Sequence, residues 1–355
     1  MIENDHIKYM QRCLELASKA EGLTYPNPMV GAVIVVKDRI IGEGFHLRAG
    51  EPHAEVNAVN SVADKSLLKH STLYVNLEPC SHFGKTPPCA DLIISSGIPK
   101  VVIGVVDTNE KVSGKGIEKL KKSGCEVLTD ILKEECRHLN RRFFTSIEKK
   151  RPYVILKWAQ SADGFIDVIR QNGHPATPTW ITGASEKKLV HKWRSEEQVI
   201  LVGAGTVRAD NPLLDVREWT GNQPIRIILS QSGQIDRSLV VFRNEGSWLM
   251  FTAATDNAPH NKQIINIDVS KPSSVQVLEY LHSIGIQSLF IEGGAETINH
   301  FIETGLWDEA RVFTGKTKFG EGIKAPVLQT SYQPTKTVVF SDSCLDFFYL
   351  YNITT

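Results

Sequence analysis

His53-Ala54-Glu55 and, further along, Glu78-Pro79-Cys80-Ser81-His82-Phe83-Gly84-Lys85-Thr86-Pro87-Pro88-Cys89 bound the stretch around which this chain is organised. One imidazole and two thiols make a three-ligand set for a tetrahedral zinc, with the fourth position left to water, and a carboxylate stands two residues after the histidine. His53, Cys80 and Cys89 are therefore the candidate ligands, and Glu55 is the candidate catalytic acid and base. A purely structural zinc would want a fourth protein ligand, which His82 could supply, but that arrangement leaves Glu55 without a role.

Working outward, both ends of the stretch fall at helix starts. Ile7, Met10, Leu14 and Ala17 recur every three or four residues, so a helix opens near Asp5 and stops by Gly22. Tyr25-Pro26-Asn27-Pro28 is a rigid turn, after which residues 30–36 and 40–44 read as strands joined through Lys37-Asp38-Arg39. Pro52 suits the first turn of a helix carrying His53 and Glu55, and Pro87-Pro88 precede another over residues 89–96. The partial positive charge of a helix N-terminus favours thiolate over thiol, which assists metal binding at neutral pH. Strands at 72–76, 100–106 and 126–128 alternate with helices at 116–123 and 131–144, the pattern of a sheet covered on both faces.

Glu148-Lys149-Lys150-Arg151-Pro152 is charged and ends in proline, which places a boundary there, with one domain over residues 1–149 and another over 150–355. The second domain repeats the alternation, with strands at 153–159, 198–202, 225–229, 247–252 and 288–292 and helices at 185–194, 274–284 and 295–304. Its closing part, including residues 311–314 and 345–351, is rich in strand signals.

Length and charge narrow the function. A chain of 355 residues is long for one hydrophobic core. Forty basic residues balance forty acidic ones, which argues against a strongly basic nucleic-acid surface and for a small ligand. No apolar run reaches the length of a membrane span, and residues 1–5 lack the order of a signal peptide, so a cytoplasmic protein is expected, with neither membrane nor nucleic acid as partner. The six cysteines are too scattered for a disulfide scaffold, and Cys13, Cys125, Cys136 and Cys344 read as small buried residues.

His-x-Glu followed by Pro-Cys and a second cysteine resembles the signature of the cytidine-deaminase superfamily, except that the generic form separates the cysteines by two residues and this chain by eight. The longer segment from Glu78 to Ala90 is similar to that of the bifunctional riboflavin-biosynthesis deaminase-reductase family. The second half carries the companion reductase's motifs in order: Leu156-Lys157 with Ser161-Ala162-Asp163-Gly164, Trp180-Ile181-Thr182-Gly183, His191-Lys192-Trp193-Arg194, Val202-Gly203-Ala204-Gly205-Thr206 with Ala209-Asp210-Asn211-Pro212, and Glu292-Gly293-Gly294. The resemblance thus covers nearly the whole chain. It implies an α/β protein, an N-terminal cytidine-deaminase-like α/β/α sandwich plus a C-terminal dihydrofolate-reductase-like α/β domain. Zinc and NADPH are the implied cofactors. The first domain would hydrolyse the ring amine of a diamino-ribosylamino-pyrimidinone 5′-phosphate, with Glu55 moving the water's proton to the ring nitrogen and leaving ammonia; the second would reduce the ribosyl chain to ribityl. A homo-oligomer is the expected assembly.

Carried over by position, Asn27, His46, His82 and Lys85 would contact the pyrimidine, since an amide and imidazoles can read a base edge and an ammonium can meet a phosphate. In the reductase half no complete G-x-G-x-x-G follows a strand, so a Rossmann site is not expected. Instead Gly203-Ala204-Gly205-Thr206 follows an apolar strand and Glu292-Gly293-Gly294-Ala295 joins a strand to a helix, where backbone N–H groups can hold cofactor phosphates. The resemblance assigns Ala159, Trp180, Thr206, Asp210, Gly293 and Gly294 to NADPH. It assigns Arg194, Leu214, Arg217 and Glu292 to the substrate, with Trp180 on the approach to it and the two arginines suited to its 5′-phosphate. Lys157 would donate a proton as the sugar ring opens to an imine. Pro178 stands where relatives commonly place a serine, leaving that polar contact to Thr177 or Thr179.

The plain alternatives are a turn residue at Asn27, solvated charges at Lys85, Arg194 and Arg217, a strand-edge lysine at Lys157 and a bare turn at Gly293-Gly294. Two rival functions remain beside the main reading. One is a deaminase whose second half only binds or assembles; the other is a nucleic-acid base deaminase, which the zero net charge disfavours.

Overall fold

The computed structural model describes residues 2–81, 87–108, 113–169, 179–243, 247–254, 263–329 and 331–350. It divides into two units, Met1–Lys150 and Arg151–Thr354.

In the first unit, β1 (Gly31–Val36) and β2 (Arg39–Phe45) form a hairpin closed by Lys37 and Asp38, both at positive φ (46° and 62°). A two-residue turn of that hand matches the twist of the strands it joins. The helix α1 (Ile2–Ser18) buries Tyr9, Met10, Cys13, Leu16 and Ala17, while Ile7 and Leu14, expected on that face, are only partly buried. The cause is a close approach: a Cβ on Gly31 would stand 2.1 Å from the Cys13 carbonyl oxygen, so the contact centres on the Cys13–Ala17 line.

The remaining elements are α2 (Ala54–Ser61), β3 (Thr72–Leu77), α3 (Cys89–Ser95), β4 (Lys100–Val105), α4 (Lys115–Lys122), β5 (Glu126–Leu128), α5 (Lys133–Leu139) and α6 (Arg141–Glu148). The sheet order is β2-β1-β3-β4-β5, antiparallel up to β3 and parallel beyond it. Alternate residues serve opposite faces, as the strand period demands. Ala32, Ile34, Leu73 and Val75 pack with α2, α3 and α4, whereas Val33, Val35, Tyr74 and Val102 pack with α1, α5 and α6. The single helix expected over residues 131–144 is two helices. Asn140 interrupts them (ψ 23°) because its side chain is spent on Met29, accepting from the backbone N–H at 2.8 Å and donating to the carbonyl at 2.9 Å.

The second unit comprises β6 (Tyr153–Gln160), β7 (Phe165–Asp167), α7 (Ala184–Glu196), β8 (Val199–Gly203), α8 (Ala204–Asp210), β9 (Ile225–Leu229), β10 (Trp248–Thr252), β11 (Ile264–Asn266), α9 (Ser273–Ser283), β12 (Ser288–Gly293), α10 (Ala295–Glu303), β13 (Glu309–Gly315), β14 (Ile323–Lys324), β15 (Lys336–Val339) and β16 (Ser343–Tyr349). Its main sheet runs β11-β10-β9-β8-β12-β6-β13-β16-β15, parallel through β13 and antiparallel at β16 and β15. Val154, Leu156, Leu289 and Ile291 face α9 and α10, and Tyr153, Ile155, Phe290 and Phe313 face α7 and α8. Both faces are thus covered, as the near-continuous apolar strands require. A separate ribbon pairs β14 with β7. Among the described residues, no helix is long and apolar enough to cross a membrane.

Candidate active sites

In the first unit, three metal-type donors are brought together from two helix starts and a loop. His53 is the N-cap of α2 with extended backbone, and Glu55 lies in that helix's first turn. The far end of α2 is satisfied by the Lys65 ammonium, which donates to the carbonyls of Val59, Asn60 and Val62 at 2.5, 3.0 and 2.7 Å. Cys89 opens α3 directly after Pro88, and its backbone N–H donates to the Cys80 Sγ at 3.3 Å. His53 Nδ1 stands 3.7 Å from the Cys80 sulfur and 3.3 Å from the Cys89 sulfur, and the three donor atoms lie within 4.8 Å of one another. An imidazole nitrogen and two thiols at this spacing fit zinc. Hydrogen bonding from Cys89, and then from His53, draws the Cys80 thiol well below its ordinary value, which favours the thiolate a metal takes.

Glu55 is 3% exposed, and burial pushes its carboxyl up. His46 lies edge-on to His53, with ring centroids 5.3 Å apart. Its Nδ1–H donates to the Pro52 carbonyl at 3.1 Å, which leaves Nε2 to accept the Asn27 amide at 3.0 Å. Burial lowers the pKa of His46, in keeping with this neutral tautomer. Asn27 and His46 therefore stand together beside the donor set. His82 and Lys85 lie outside the described residues.

In the second unit the pairing of Leu156 with Ile291 aligns β6 with β12, so that Lys157 and Glu292 follow as neighbours on one face. Lys157 Nζ is 3.8 Å from Glu292 Oε2. Arg194, from α7, holds both oxygens of that carboxylate, Nε to Oε1 at 2.5 Å and Nη2 to Oε2 at 2.9 Å, and its Nη1 donates to the Asp215 carbonyl at 3.1 Å. Burial works to raise Glu292, but the Arg194 and Lys157 cations overcome it and keep the carboxyl below its ordinary value. Burial lowers Lys157, with Glu292 opposing. The Arg194 fork is directed at Glu292 and the Asp215 carbonyl. Arg217 is half-exposed and pairs with Asp215 at 2.5 Å.

Beyond Glu292 the chain turns through Gly293 and Gly294, the latter at φ 72°, into α10. A cleft of about 1090 Å³ opens there, lined by residues that include Gly203, Thr206, Ser230, Lys271, Gly294 and Thr297. Its size and its glycine-bordered floor fit an extended dinucleotide. Of the residues assigned to NADPH, Thr206 and Gly294 line the cleft and Gly293 packs against Thr206, where an added Cβ would meet the threonine side chain at 3.0 Å. Asp210, Ala159 and Trp180 are not among its lining residues. Asp210 ends α8, Ala159 sits on β6 against the core, and Trp180 is 60% exposed beneath the Lys187 ammonium. Leu214 is buried at positive φ (54°). Pro178 and Thr177 lie outside the described residues, and the Thr179 hydroxyl donates to Asp167 at 2.6 Å.

The model of the cytidine and deoxycytidylate deaminase zinc-binding region matches residues 3–105, and that of the RibD C-terminal domain matches residues 152–342. The riboflavin biosynthesis protein RibD of Aquifex aeolicus is 40% identical over 328 residues, 91% of this chain and 90% of that protein. The chain belongs to the RibD family. RibD of Bacillus amyloliquefaciens is 39% identical over 329 residues, covering 90% of this chain and 86% of its own length. Among solved structures, the diaminohydroxyphosphoribosylaminopyrimidine deaminase/5-amino-6-(5-phosphoribosylamino)uracil reductase of Thermotoga maritima superposes with a TM-score of 0.87 at 36% identity, covering 98% of this chain and 99% of that one. The protein is accordingly a bifunctional deaminase and reductase of riboflavin biosynthesis, with a cytidine-deaminase-like zinc domain and a RibD reductase domain whose cofactor is NADPH.

Sequence reading missed the far wall of the RibD reductase cleft, formed by Ser230, Gln231 and Ser232 after β9 and by Asp268 to Pro272 before α9. A signal was present. Small polar residues directly after the strand at 225–229 mark the carboxyl end of a parallel sheet, where open α/β folds place their ligands.

Proposed function

We propose that the first unit, through residue 149, deaminates 2,5-diamino-6-(5-phosphoribosylamino)pyrimidin-4-one to 5-amino-6-(5-phosphoribosylamino)uracil, and that the unit from residue 150 reduces the ribosyl chain of that product to ribityl. The observation that carries the first assignment is the convergence of His53, Cys80 and Cys89 within 4.8 Å beside a buried Glu55. Zinc bound there supplies Lewis acidity. Glu55, whose buried carboxyl holds a proton more readily than an exposed one, takes one proton from the attacking water and passes it to the ring nitrogen, then takes the remaining hydroxyl proton as the carbonyl forms and passes it to the amine, which leaves as ammonia. Asn27 and His46 read the pyrimidine edge, and His82 and Lys85 serve the base and its phosphate.

In the second unit NADPH supplies hydride, and the cleft beside Gly294 holds it, with Thr206 and Gly294 on its lining and Gly293 packed against Thr206; Asp210, Ala159 and Trp180 are its further contacts beyond that lining. Lys157 supplies the proton that opening of the sugar ring requires, and its lowered pKa eases that release. Glu292, fixed by Arg194, orients Lys157 and the ribosyl hydroxyls. Leu214 closes the substrate side, and Arg217 meets the 5′-phosphate. The chain works in the cytoplasm, because two ligating thiols have to stay reduced, and without membrane or nucleic-acid partners, as its balanced charge supports. A homo-oligomer is the assembly this reading carries.

The test is to supply the diaminopyrimidine phosphate with and without NADPH and to follow ammonia and oxidised cofactor together. Ammonia is expected in both mixtures, and cofactor oxidation only where NADPH and the deaminated product coexist. Absence of ammonia from the zinc-loaded protein refutes the first half of the proposal; ammonia without cofactor oxidation refutes the second.

A further inference from the structure

The deamination chemistry gives Glu78 no task, although it stands two residues before the ligand Cys80. Its side chain is buried, and the carboxylate accepts four backbone N–H groups. Oε1 takes those of Gly116 and Ile117 at 2.9 and 3.3 Å, and Oε2 takes those of Gly114 and Asp107 at 3.0 and 3.2 Å. Gly114 is the N-cap of α4, so three of these donors are among the groups that a helix start leaves without an intrahelical partner. The helix dipole favours an anion at the same place. A second contact fixes the next residue. A Cβ on Gly116 would stand 2.1 Å from the Pro79 carbonyl oxygen, so the start of α4 fits directly beneath the Glu78-Pro79 backbone. The Glu78 N–H donates to the Val105 carbonyl at 3.0 Å, carrying the β3–β4 pairing up to the edge of the cysteine loop. Lys119 of α4 also pairs with Asp91 of α3, the helix that Cys89 opens. Both thiols are thereby referred to one helix.

We infer that Glu78 is a positioning residue of the metal centre: by occupying the start of α4 it fixes Pro79, and with it the place of the Cys80 thiolate opposite His53 and Cys89. The inference rests on the zinc-hydrolase reading of that site. Four donors converge on the two oxygens, which a carboxylate can accept in full. An amide offers one oxygen and turns its NH2 group against the remaining N–H groups.

The experiment compares wild-type protein with Glu78→Gln by chelator competition for zinc and by the charge-transfer and d–d bands of the cobalt-substituted site. Glu78→Gln is expected to weaken zinc about tenfold, the lower end of the loss seen when groups that hold metal ligands are removed. Shifted cobalt bands and a lowered kcat for deamination at nearly unchanged KM should accompany it. Gly116→Ala, which keeps the carboxylate but displaces Pro79 and also crowds Glu78 Oε1, 3.2 Å from the added Cβ, should shift the same bands. A folded Glu78→Gln protein with a lower melting temperature but wild-type zinc affinity and cobalt spectrum overturns the inference, as does a folded Gly116→Ala protein with an unaltered spectrum. If neither variant folds even with zinc, the role is structural alone and the inference fails. A wild-type chain that takes up no zinc would sink the underlying reading, whereas normal uptake with unaffected variants sinks this inference alone.

Discussion

Replacing Arg194 by methionine removes the fork that holds Glu292 while leaving a carboxylate that is 6% exposed. Two charge-assisted bonds to the carboxylate and one to the Asp215 carbonyl are lost, and Lys157 at 3.8 Å is too distant to substitute for them. Stripping one partner from a buried ion pair costs about 3–5 kcal/mol, and for a unit of this size each kcal/mol lowers the melting temperature by about 2–4 °C. A fall of about 10 °C is therefore expected for Arg194→Met. All six tryptophans, Trp158, Trp180, Trp193, Trp219, Trp248 and Trp307, belong to the second unit, so tryptophan fluorescence reports its melting without interference from the first. Arg194→Lys keeps the charge without the planar fork and should fall between wild type and Arg194→Met. The double variant Arg194→Met with Glu292→Met should recover part of the loss, because replacing both partners by apolar groups leaves no stranded carboxylate. Melting of Arg194→Met within about 2 °C of wild type would refute the reasoning, and so would a double variant less stable than either single one.

Glu55→Gln should retain zinc, measured by metal analysis, yet release no ammonia; deamination near the wild-type rate would remove Glu55 from proton transfer. Cys80→Ser and Cys89→Ser should each lose zinc, and full occupancy in either would strike that residue from the ligand set. NADPH oxidation should persist in Glu55→Gln when the deaminated pyrimidine is supplied, and its absence from the folded variant would argue against separate sites. Asp163 is held at about 2, against an ordinary 3.8, by the Ser161 hydroxyl and the N–H groups of Phe319 and Gly320. A carboxyl lowered in the folded state confers stability that is complete above its unfolded value and is lost as pH falls through the folded one. Melting temperature measured downward from pH 5 should therefore decline less steeply in Asp163→Asn than in wild type, and parallel curves would exclude the contribution.

What the sequence displayed was whatever local period or local chemistry imposes. Strands such as Val199–Gly203 are apolar without interruption because they lie inside a covered parallel sheet, and the ligand set is marked by residue types seldom placed together otherwise. What it concealed depends on partners distant along the chain. Asn140 breaks a helix because of Met29, Arg194 turns to a carboxylate on β12 instead of to solvent, and Glu78 answers to a helix start beyond β4. The ribbon of β7 and β14 escaped notice for another reason: with three and two residues, its strands are too short to show a period.

The place of β6 in the sheet has a consequence for how the chain is made. It is the first strand of its unit to leave the ribosome, yet it lies between β12 and β13, whose pairing residues begin at Ser288 and Glu309. More than a hundred residues have to be synthesised before either edge of β6 finds its partner, whereas the last helix of the first unit is complete by Glu148. During translation a finished N-terminal unit thus precedes a long nascent segment whose central strand stays open on both edges, the interval in which chaperone capture or aggregation of this chain is decided.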